Sequence, residues 1–468
     1  MTEPTRTETA SDLVDGGGPP AGTGGRAATR TFDAPAGRYV GLVDGDVVRV
    51  RGVRYAEAGR FERPRPLPRA DRTVEAFDRA PASPQLPSPL LEALIEGAEV
   101  GMVDDEHCQA LSITLPADLA EGEQLPVMVW IHGGSYDTGS GDHSVYDPVA
   151  LVTEQRVVVV TVTYRLGMLG YFGDGESVPA NLGLLDQLAA VRWVHDNVAA
   201  FGGDPDTVTL FGQSAGGDAV AHLMIAEGAR GLFRRAIVQS APFGLTRRRA
   251  GLNRAMVAAV GVPPRDAPVQ EVLALQVVAE RAARRFGLRG GMAFATQYGH
   301  APLPAERDVD AAWRDVAPEV DLLIGSTSDE TALFAVASPA LRRAFALPVV
   351  GRPLRRALVG GTTRLLYAAD ARAFARRHRE AGGRAVRYES TWAPEGSRFG
   401  AAHVTELPLL LGTRASWGHT RLIARSTWDD VERRGRRVRQ IWADFARTGT
   451  VAYDAAAGAA STIRIHRD

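Results

Sequence analysis

"TVTLFGQSAGGDAV", residues 207–220, is the stretch that decides the fold of this 468-residue chain. It begins as a β-branched, apolar run and changes abruptly to small residues around Ser214. The residues that follow Ser214 favour a helix. A buried strand, a sharp turn and a helix therefore succeed one another, and this order places Ser214 at the carboxyl edge of a sheet.

The flanking segments predict an α/β fold with a mainly parallel central sheet. The apolar runs at 126–134 and 156–165 are typical of strands buried on both faces. Residues 182–202 have helical periodicity and end at Gly202. Further strands are predicted within 38–56 (a hairpin), 234–241, 319–330 and 383–392. Since strands alternate with helices, we expect helices on both faces of the sheet.

Composition and charge exclude several classes of protein. The chain has 54 basic and 55 acidic residues and a net charge of −1, so no global field favours nucleic acid or anionic lipid. The arginine-rich stretches at 376–380 and 432–440 are interpreted as solvated helix faces. No apolar run approaches the roughly 18 residues that span a bilayer. We therefore expect no nucleic-acid partner and no membrane partner.

The terminus and the cysteine content indicate the compartment and the domain plan. Residues 1–30 are polar and lack an apolar signal region, so they are predicted to form a disordered tail before a single domain at 31–468. Cys108 is the only cysteine, so no intrachain disulfide can form. These features predict a cytoplasmic protein.

The "GQSAG" sequence at 212–216 matches the G-x-S-x-G pattern of a nucleophile elbow. Gly212 and Gly216 leave room for a turn that holds Ser214 in a strained conformation, at a cost of about 1–3 kcal/mol. The alternative is a surface turn that happens to contain serine. The strand before the turn and the helix after it favour the nucleophile.

A serine hydroxyl needs a base, and the base needs an orienting acid. In this type of fold the chain order is serine, acid, histidine. Asp329 and Glu330 both follow the strand predicted at 319–330, and His403 follows the last predicted strand. His419 is the alternative base, and the residues alone leave the choice between the two acids open.

The "HGGSYDTGSG" loop at 132–141 follows another predicted strand. A glycine-rich loop in this position can turn backbone N–H groups toward the serine, where they stabilise a developing oxyanion. We therefore predict an oxyanion hole formed by Gly133, Gly134 and Ala215.

These motifs resemble the type-B carboxylesterases, a family of α/β-hydrolases that includes para-nitrobenzyl esterases and cholinesterases. The resemblance runs from about residue 38 to about residue 450 and is carried by "LPVMVWIHGGSY", "TYRLGMLGYF", "NLGLLDQLAAVRWVHDNVAAFGGDPDTVTLFGQSAGG", "LFRRAIVQSA" and "IWADFARTG". It implies the α/β-hydrolase fold. It also implies Ser214 as nucleophile, Glu330 as the acid in preference to Asp329, and His403 as the base.

The resemblance also draws attention to residues around the triad. It implies that Ser240, in "VQSA", forms a hydrogen bond near the acid. The family usually has glutamate directly before the nucleophile, where this chain has Gln213. The missing negative charge disfavours a cationic alcohol such as choline. Relatives often pair the cysteine corresponding to Cys108 with one upstream, and Ser83 occupies that upstream position here.

The expected activity is hydrolysis of small to medium, uncharged carboxylic esters through an acyl-enzyme. The expected partner is a small-molecule ester, with no metal and no organic cofactor, and the chain is a monomer or a homodimer. Biosynthetic tailoring as an esterase, lactonase or thioesterase is the first alternative. A non-catalytic binding protein on the same scaffold is disfavoured because the triad positions and the glycines are all present. A peptidase is disfavoured because no repeat region precedes the domain.

Overall fold

A large twisted sheet organises the computed structural model, which describes residues 28–88, 102–452 and 462–466. Twelve of the described strands form this sheet, and β4 and β5 form a separate pair. The strands are β1 Thr29–Ala34, β2 Gly37–Asp44, β3 Val47–Arg54, β4 Ala56–Glu57, β5 Arg65–Pro66, β6 Val74–Glu75, β7 Ala110–Pro116, β8 Leu125–Ile131, β9 Val158–Thr163, β10 Gly203–Gln213, β11 Arg235–Gln239, β12 Asp321–Thr327, β13 Ala385–Ser390 and β14 Ile463–His466.

Helices cover both faces of the sheet. The α-helices are α1 Val149–Gln155, α2 Gly167–Gly170, α3 Leu182–Asn197, α4 Ala215–Leu223, α5 Phe243–Thr246, α6 Ala250–Val260, α7 Val269–Ala283, α8 Val309–Val316, α9 Ala332–Ala337, α10 Pro339–Phe345, α11 Gly351–Thr363, α12 Ala369–Glu380, α13 Leu407–Leu410, α14 Arg414–Trp417 and α15 Trp428–Thr448. Short 3₁₀ helices lie at Ser144–Tyr146, Val198–Phe201, Arg284–Gly291 and Glu306–Asp308, and a π-helical turn at Arg364–Ala368.

The centre of the sheet is parallel, as the sequence predicts. The order is β1-β2-β3-β7-β9-β8-β10-β11-β12-β13-β14, and β9 through β13 pair in parallel. The remaining neighbours in this order pair antiparallel. Because parallel strands end at a common edge, residues that follow β8, β10 and β12 come together there.

Two apolar cores lie on opposite faces of the sheet. Along β8, Val127, Val129 and Ile131 pack into one core, while Met128 and Trp130 pack into the other. This division follows from the two-residue period of a strand. The first core also contains the buried face of α3, and the second contains that of α15. The predicted helices on both faces are thus confirmed.

The structure corrects the predicted elements at two places. The tail predicted at 1–30 lies largely outside the described residues, but Thr29 and Arg30 belong to β1 and pair with β2. The strand β7 was not predicted, although Leu111, Ile113 and Leu115 alternate with hydroxyl residues. The strand lies inside the sheet, and its hydroxyl residues are buried. Because these polar residues interrupt the sequence, the segment lacks the continuous apolar run that identifies β8 and β9.

The cysteine and its upstream partner position are in contact. Cys108 is buried, and the Ser83 hydroxyl lies beside its sulfur. Burial raises the pKa of the Cys108 thiol far above its ordinary value, so the thiol is protonated at neutral pH. A hydroxyl–thiol contact therefore occupies the site at which the resemblance implies a disulfide in relatives.

One buried ion pair fixes the turn after β9 against α3. The Arg165 Nε and Nη2 atoms donate to the Asp186 carboxylate at 2.8 and 2.7 Å, and the Arg165 backbone N–H donates to it at 3.1 Å. The two side chains are 2% and 0% exposed. Breaking such a pair leaves a buried charge without a partner.

We expect Arg165→Met to lower the free energy of unfolding by about 3–5 kcal/mol, because Asp186 loses its counter-charge in a buried position. Urea denaturation followed by circular dichroism measures this change. Arg230→Met is the matched control, since Arg230 pairs with Glu319 and Asp315 at the surface and its loss should cost less than about 1 kcal/mol. Equal losses in both variants would contradict the assigned role of burial.

A second buried network surrounds Glu406, below the carboxyl edge of the sheet. Gln239 donates to Glu406 Oε1 at 2.9 Å, and the Tyr388 hydroxyl lies 3.3 Å from both carboxyl oxygens. Trp442 in turn donates to Gln239 at 3.1 Å. Burial raises the pKa of Glu406 to about 8, so this carboxyl is largely protonated at neutral pH.

The Glu406 proton makes stability depend on pH. Between about pH 5 and pH 8 the folded chain retains this proton and the unfolded chain loses it, so this group lowers the free energy of unfolding as pH rises. Glu406→Gln removes the titration and keeps an acceptor for Gln239. As pH rises from about 5 to about 8, the free energy of unfolding of the variant should therefore increase by about 2–4 kcal/mol relative to that of wild type. Urea denaturation at several pH values measures this gain, with Glu121→Gln as the exposed control. If the difference in free energy of unfolding between Glu406→Gln and wild type does not change with pH, Glu406 is not the group that titrates.

Candidate active site

Ser214 lies in a strained turn between β10 and α4. Its φ and ψ are 60° and −125°, an uncommon conformation for a residue with a side chain. The backbone N–H of Ser214 donates to Gln239 O at 2.9 Å, which ties the turn to β11. Gln213 and Ala215 are buried, whereas Ser214 is partly exposed. The hydroxyl therefore lies within reach of a small molecule.

The turn requires glycine on the helix side because α4 begins directly against β8. A Cβ atom at Gly216 would lie 2.0 Å from Ile131 O, a distance that no real side chain adopts. A Cβ atom at Gly212 would lie 2.6 Å from the backbone of Gly216. The steric reason predicted for these two glycines is confirmed.

The glycine-rich loop after β8 packs directly against the serine turn. A Cβ atom on Gly133 would lie 2.6 Å from Gln213 O and 3.1 Å from Ser214 Cβ. Within the described residues, the N–H groups of Gly133, Gly134 and Ala215 donate no hydrogen bond. Gly133 and Ala215 therefore lie directly beside Ser214, and within the described residues the N–H groups of all three predicted donors are unused.

A buried histidine and a tyrosine hold the start of this loop. The Tyr164 hydroxyl donates to His132 O at 2.7 Å, and the two rings stack with centroids 4.4 Å apart. Burial lowers the pKa of His132 to about 4, so its ring is neutral at pH 7. His132 Nδ1 lies 2.8 Å from Gly133 O, which orients the peptide that follows.

Other contacts of the loop involve residues that sequence reasoning missed. The Gln85 side chain donates to Gly139 O at 3.1 Å and accepts from Gly139 N at 2.7 Å. The Tyr136 hydroxyl donates to Asp218 in α4 at 2.6 Å. Tyr136 and Asp218 belong to the two motifs already recognised, so their contact could have been anticipated. Gln85 lies in a Pro-rich loop and gives no such signal.

His403 and Glu330 form a buried hydrogen-bonded pair between His403 Nδ1 and Glu330 Oε2. The second carboxyl oxygen of Glu330 accepts from Thr327 N at 2.7 Å. The other candidate acid points elsewhere, since the Asp329 carboxylate accepts from Ala401 N at 3.2 Å. The structure therefore directs the Glu330 carboxylate to His403 and the Asp329 carboxylate to the backbone of Ala401.

The other imidazole nitrogen of His403 contacts the residue before the serine. Gln213 Nε2 lies 3.2 Å from His403 Nε2, and the Gln213 side chain is buried. Because Nδ1 donates to Glu330, Nε2 is the acceptor of the neutral ring. No hydrogen bond joins Ser214 Oγ to His403 within the described residues. The Gln213 amide therefore donates to the Nε2 lone pair of His403, which is the lone pair that would accept the Ser214 proton.

Two aromatic rings flank His403. The ring of Phe334 in α9 lies 5.7 Å from the imidazole, and that of Tyr367 lies 5.5 Å from it. Tyr367 is buried, whereas Phe334 is 43% exposed. A cavity of about 940 Å³ has the neighbouring Leu366 in its wall, but neither Ser214 nor His403 lines it.

The hydrogen bond predicted for Ser240 is absent. Its Oγ atom is buried and has no hydrogen-bond partner among the described residues. The Glu330 oxygens accept instead from His403 and from the backbone N–H of Thr327. Ser240 does contribute a backbone contact, since its N–H donates to Gly325 O at 2.8 Å.

No cluster of three or more metal-ligating side chains occurs within residues 28–88, 102–452 and 462–466. In particular, Glu406 forms hydrogen bonds with Gln239 and Tyr388, whereas His403 pairs with Glu330. Among the described residues, Glu330, Glu406 and His403 therefore do not form a metal site. Over the same ranges, no helix is both long enough and apolar enough to cross a membrane.

Comparisons with known proteins agree with this architecture. The model of the carboxylesterase family matches residues 36–344. A probable N-octanoylanthranilate hydrolase of Rhodococcus erythropolis is 36% identical over 431 residues, covering 90% of this chain and 94% of that protein. The para-nitrobenzyl esterase of Bacillus subtilis is 30% identical over 449 residues, covering 90% of each chain.

A solved structure extends the comparison to three dimensions. A thermophilic para-nitrobenzyl esterase superposes with a TM-score of 0.76 at 29% identity and covers 91% of this chain and 92% of its own. Sequence, fold and family model therefore agree over most of the chain. The chain belongs to the carboxylesterase family of α/β-hydrolases and is a carboxylic ester hydrolase.

Proposed function

We propose that this enzyme cleaves small to medium, uncharged carboxylic esters through Ser214, His403 and Glu330. One observation carries the proposal. A buried His403–Glu330 pair contacts Gln213, the residue before a partly exposed serine in a strained turn, and the N–H groups of Gly133 and Ala215 beside that serine are unused within the described residues. Each component supplies a separate requirement of acyl transfer: base, nucleophile and oxyanion stabilisation.

The first step transfers the Ser214 proton to His403 Nε2 as the serine oxygen attacks the ester carbonyl. Glu330 holds the imidazole by Nδ1 and stabilises the imidazolium that forms. The N–H groups of Gly133, Gly134 and Ala215 receive the oxyanion. The alcohol leaves with the proton from His403, and water repeats the sequence on the acyl-enzyme.

Gln213 adds a feature of its own to this step. In the resting arrangement its amide N–H donates to His403 Nε2, so the serine hydroxyl must replace that contact before proton transfer. Once Nε2 is protonated, rotation of the amide presents Gln213 Oε1 as an acceptor. The side chain therefore serves both protonation states of the base without carrying charge.

A second candidate reaction is hydrolysis of a medium-chain acyl amide of an aromatic amine. The name of the Rhodococcus relative, a probable N-octanoylanthranilate hydrolase, describes a substrate with an eight-carbon acyl chain and an anthranilate group. A tailoring role on a narrow natural ester, lactone or thioester belongs to the same chemistry. Parallel assays of p-nitrophenyl octanoate and N-octanoylanthranilate separate ester from amide preference.

We also propose a cytoplasmic location. The single cysteine is buried and unpaired, which suits a reducing compartment.

We expect Ser214→Ala to lower turnover of p-nitrophenyl esters by about 10⁵-fold or more, because the nucleophile is lost. A series from acetate to decanoate, with fluorophosphonate labelling of both proteins, measures this effect. Ser240→Ala is the matched control and should retain turnover, since its hydroxyl forms no hydrogen bond with any described residue. Labelling that persists in Ser214→Ala would exclude Ser214 as the nucleophile.

We expect Gln213→Glu to move the acid limb of the kcat/KM profile upward by about 1 pH unit, because an adjacent carboxylate favours the protonated imidazole. Gln213→Met removes the hydrogen bond without adding charge and should leave the limb in place. An unchanged limb in Gln213→Glu would show that this side chain does not contact His403 in the working enzyme.

A further inference from the structure

The segment that follows Glu330 in the sequence has an unusual charge distribution. Residues 331–369 contain six arginines and no acidic residue. At the overall frequency of 55 acids in 468 residues, 39 residues would hold about five. The net charge of the whole chain is −1. The net charge of this segment is therefore +6, and that of the remaining residues is −7.

Four of these six arginines lie exposed on α10 and α11. Arg342 and Arg343 lie on α10, and Arg352 and Arg356 lie on α11, all at the surface. No ion pair joins any of the four to a carboxylate within the part of the chain that the structure describes. Elsewhere surface arginines commonly have acidic neighbours, as Arg230 has Glu319.

The same segment exposes apolar side chains. Leu347, Val349 and Val350, between α10 and α11, are 52%, 92% and 54% exposed, and Leu354 on α11 is 44% exposed. Single exposed apolar residues are ordinary, but four within eight positions form a patch. We call these four residues together with Arg342, Arg343, Arg352 and Arg356 the arginine-rimmed face.

The helical periodicity of α11 separates its two sides. Val359 and Thr363 are buried, and Arg355 is half-buried and donates to Phe399 O at 3.0 Å. The side that faces solvent carries Pro353, Leu354 and Ala357. A helix with an outward apolar side and flanking arginines is the arrangement of an interfacial helix.

We propose that the arginine-rimmed face binds the surface of an anionic lipid bilayer. The apolar residues would enter the boundary between headgroups and acyl chains, and the arginines would contact lipid phosphates. Charge selects this occupant, because a rim with no carboxylate complements an anionic surface and repels a second copy of itself. The near-neutral net charge of the whole chain conceals this local field.

The location of the face gives such binding a consequence for the substrate. The segment starts directly after Glu330 and contains Phe334 on α9 and Tyr367 near its end, and both rings flank His403. A bilayer held against α10 and α11 would lie next to the candidate active site. Amphiphilic esters that partition into the bilayer would then reach Ser214 at high local concentration. This substrate class rests on the proposed function, whereas lipid binding does not.

Sedimentation with sucrose-loaded vesicles tests the binding without relying on catalysis. We expect full-length protein to sediment with phosphatidylcholine vesicles that contain about 30% phosphatidylglycerol and not with pure phosphatidylcholine. Binding should fall at least about fivefold between about 0.05 M and about 0.5 M NaCl, because salt screens the arginines. Ser214→Ala should bind as wild type, which separates this inference from the proposed mechanism.

Two variants probe the two parts of the face. Arg352→Gln with Arg356→Gln should lower vesicle binding about tenfold, and the corresponding lysine pair should restore it. Val349→Ser with Leu354→Ser should lower binding to a similar extent. Arg433→Gln with Arg436→Gln on α15 is the matched control, since it changes the net charge equally outside the segment. Thermal melting and p-nitrophenyl acetate turnover verify that each variant is folded.

Three results would overturn the proposal. The first is equal sedimentation with and without phosphatidylglycerol, or none with either. The second is an equal loss in the α15 control, which would trace the effect to net charge. The third is a concentration-dependent dimer that Val349→Ser with Leu354→Ser abolishes, which would assign the face to contact between two copies of the chain.

Discussion

The close approach of α4 to β8 is the constraint on which the site depends. With no side chain at Gly216, the first turn of α4 lies against the Ile131 carbonyl, and the chain between β10 and α4 must turn sharply. That turn imposes the positive φ of Ser214 and aims the N-terminus of α4 at the space above it. It also brings Gly133 beside the serine, so the nucleophile and the oxyanion donors are positioned by one steric requirement.

Much of the scaffold could be predicted because its signals are local. The apolar runs of β8 and β9 and the glycines around Ser214 are short-range patterns whose physical meaning does not depend on distant residues. The parallel order of the central strands then follows from the alternation with helices. The antiparallel strands β1 and β7 have weaker local patterns, and their pairing with β2 and β3 is what makes them strands. Long-range contacts of this kind leave little trace in a window of ten residues.

The candidate site shows the same division. Ser214 and the two loop glycines are recognisable from their immediate neighbours. The choice between Asp329 and Glu330 is not, because adjacent residues at a strand end differ only in the direction of their side chains. The structure sends Glu330 toward His403 and Asp329 toward Ala401. For Ser240 the resemblance implies a hydrogen bond near the acid that the described residues do not show, and its hydroxyl is buried without a partner among them.

Gln213 connects these observations to the electrostatics of the reaction. Its side chain is 2% exposed and lies against an imidazole that already has one carboxylate partner. An ionised glutamate there would add a second buried negative charge beside Glu330, and its desolvation would have to be offset by a more strongly held imidazolium. An amide of the same shape keeps the contact with Nε2 and leaves the base less stabilised in its charged form. The neutral residue therefore leaves the site without the negative charge that would attract a cationic substrate.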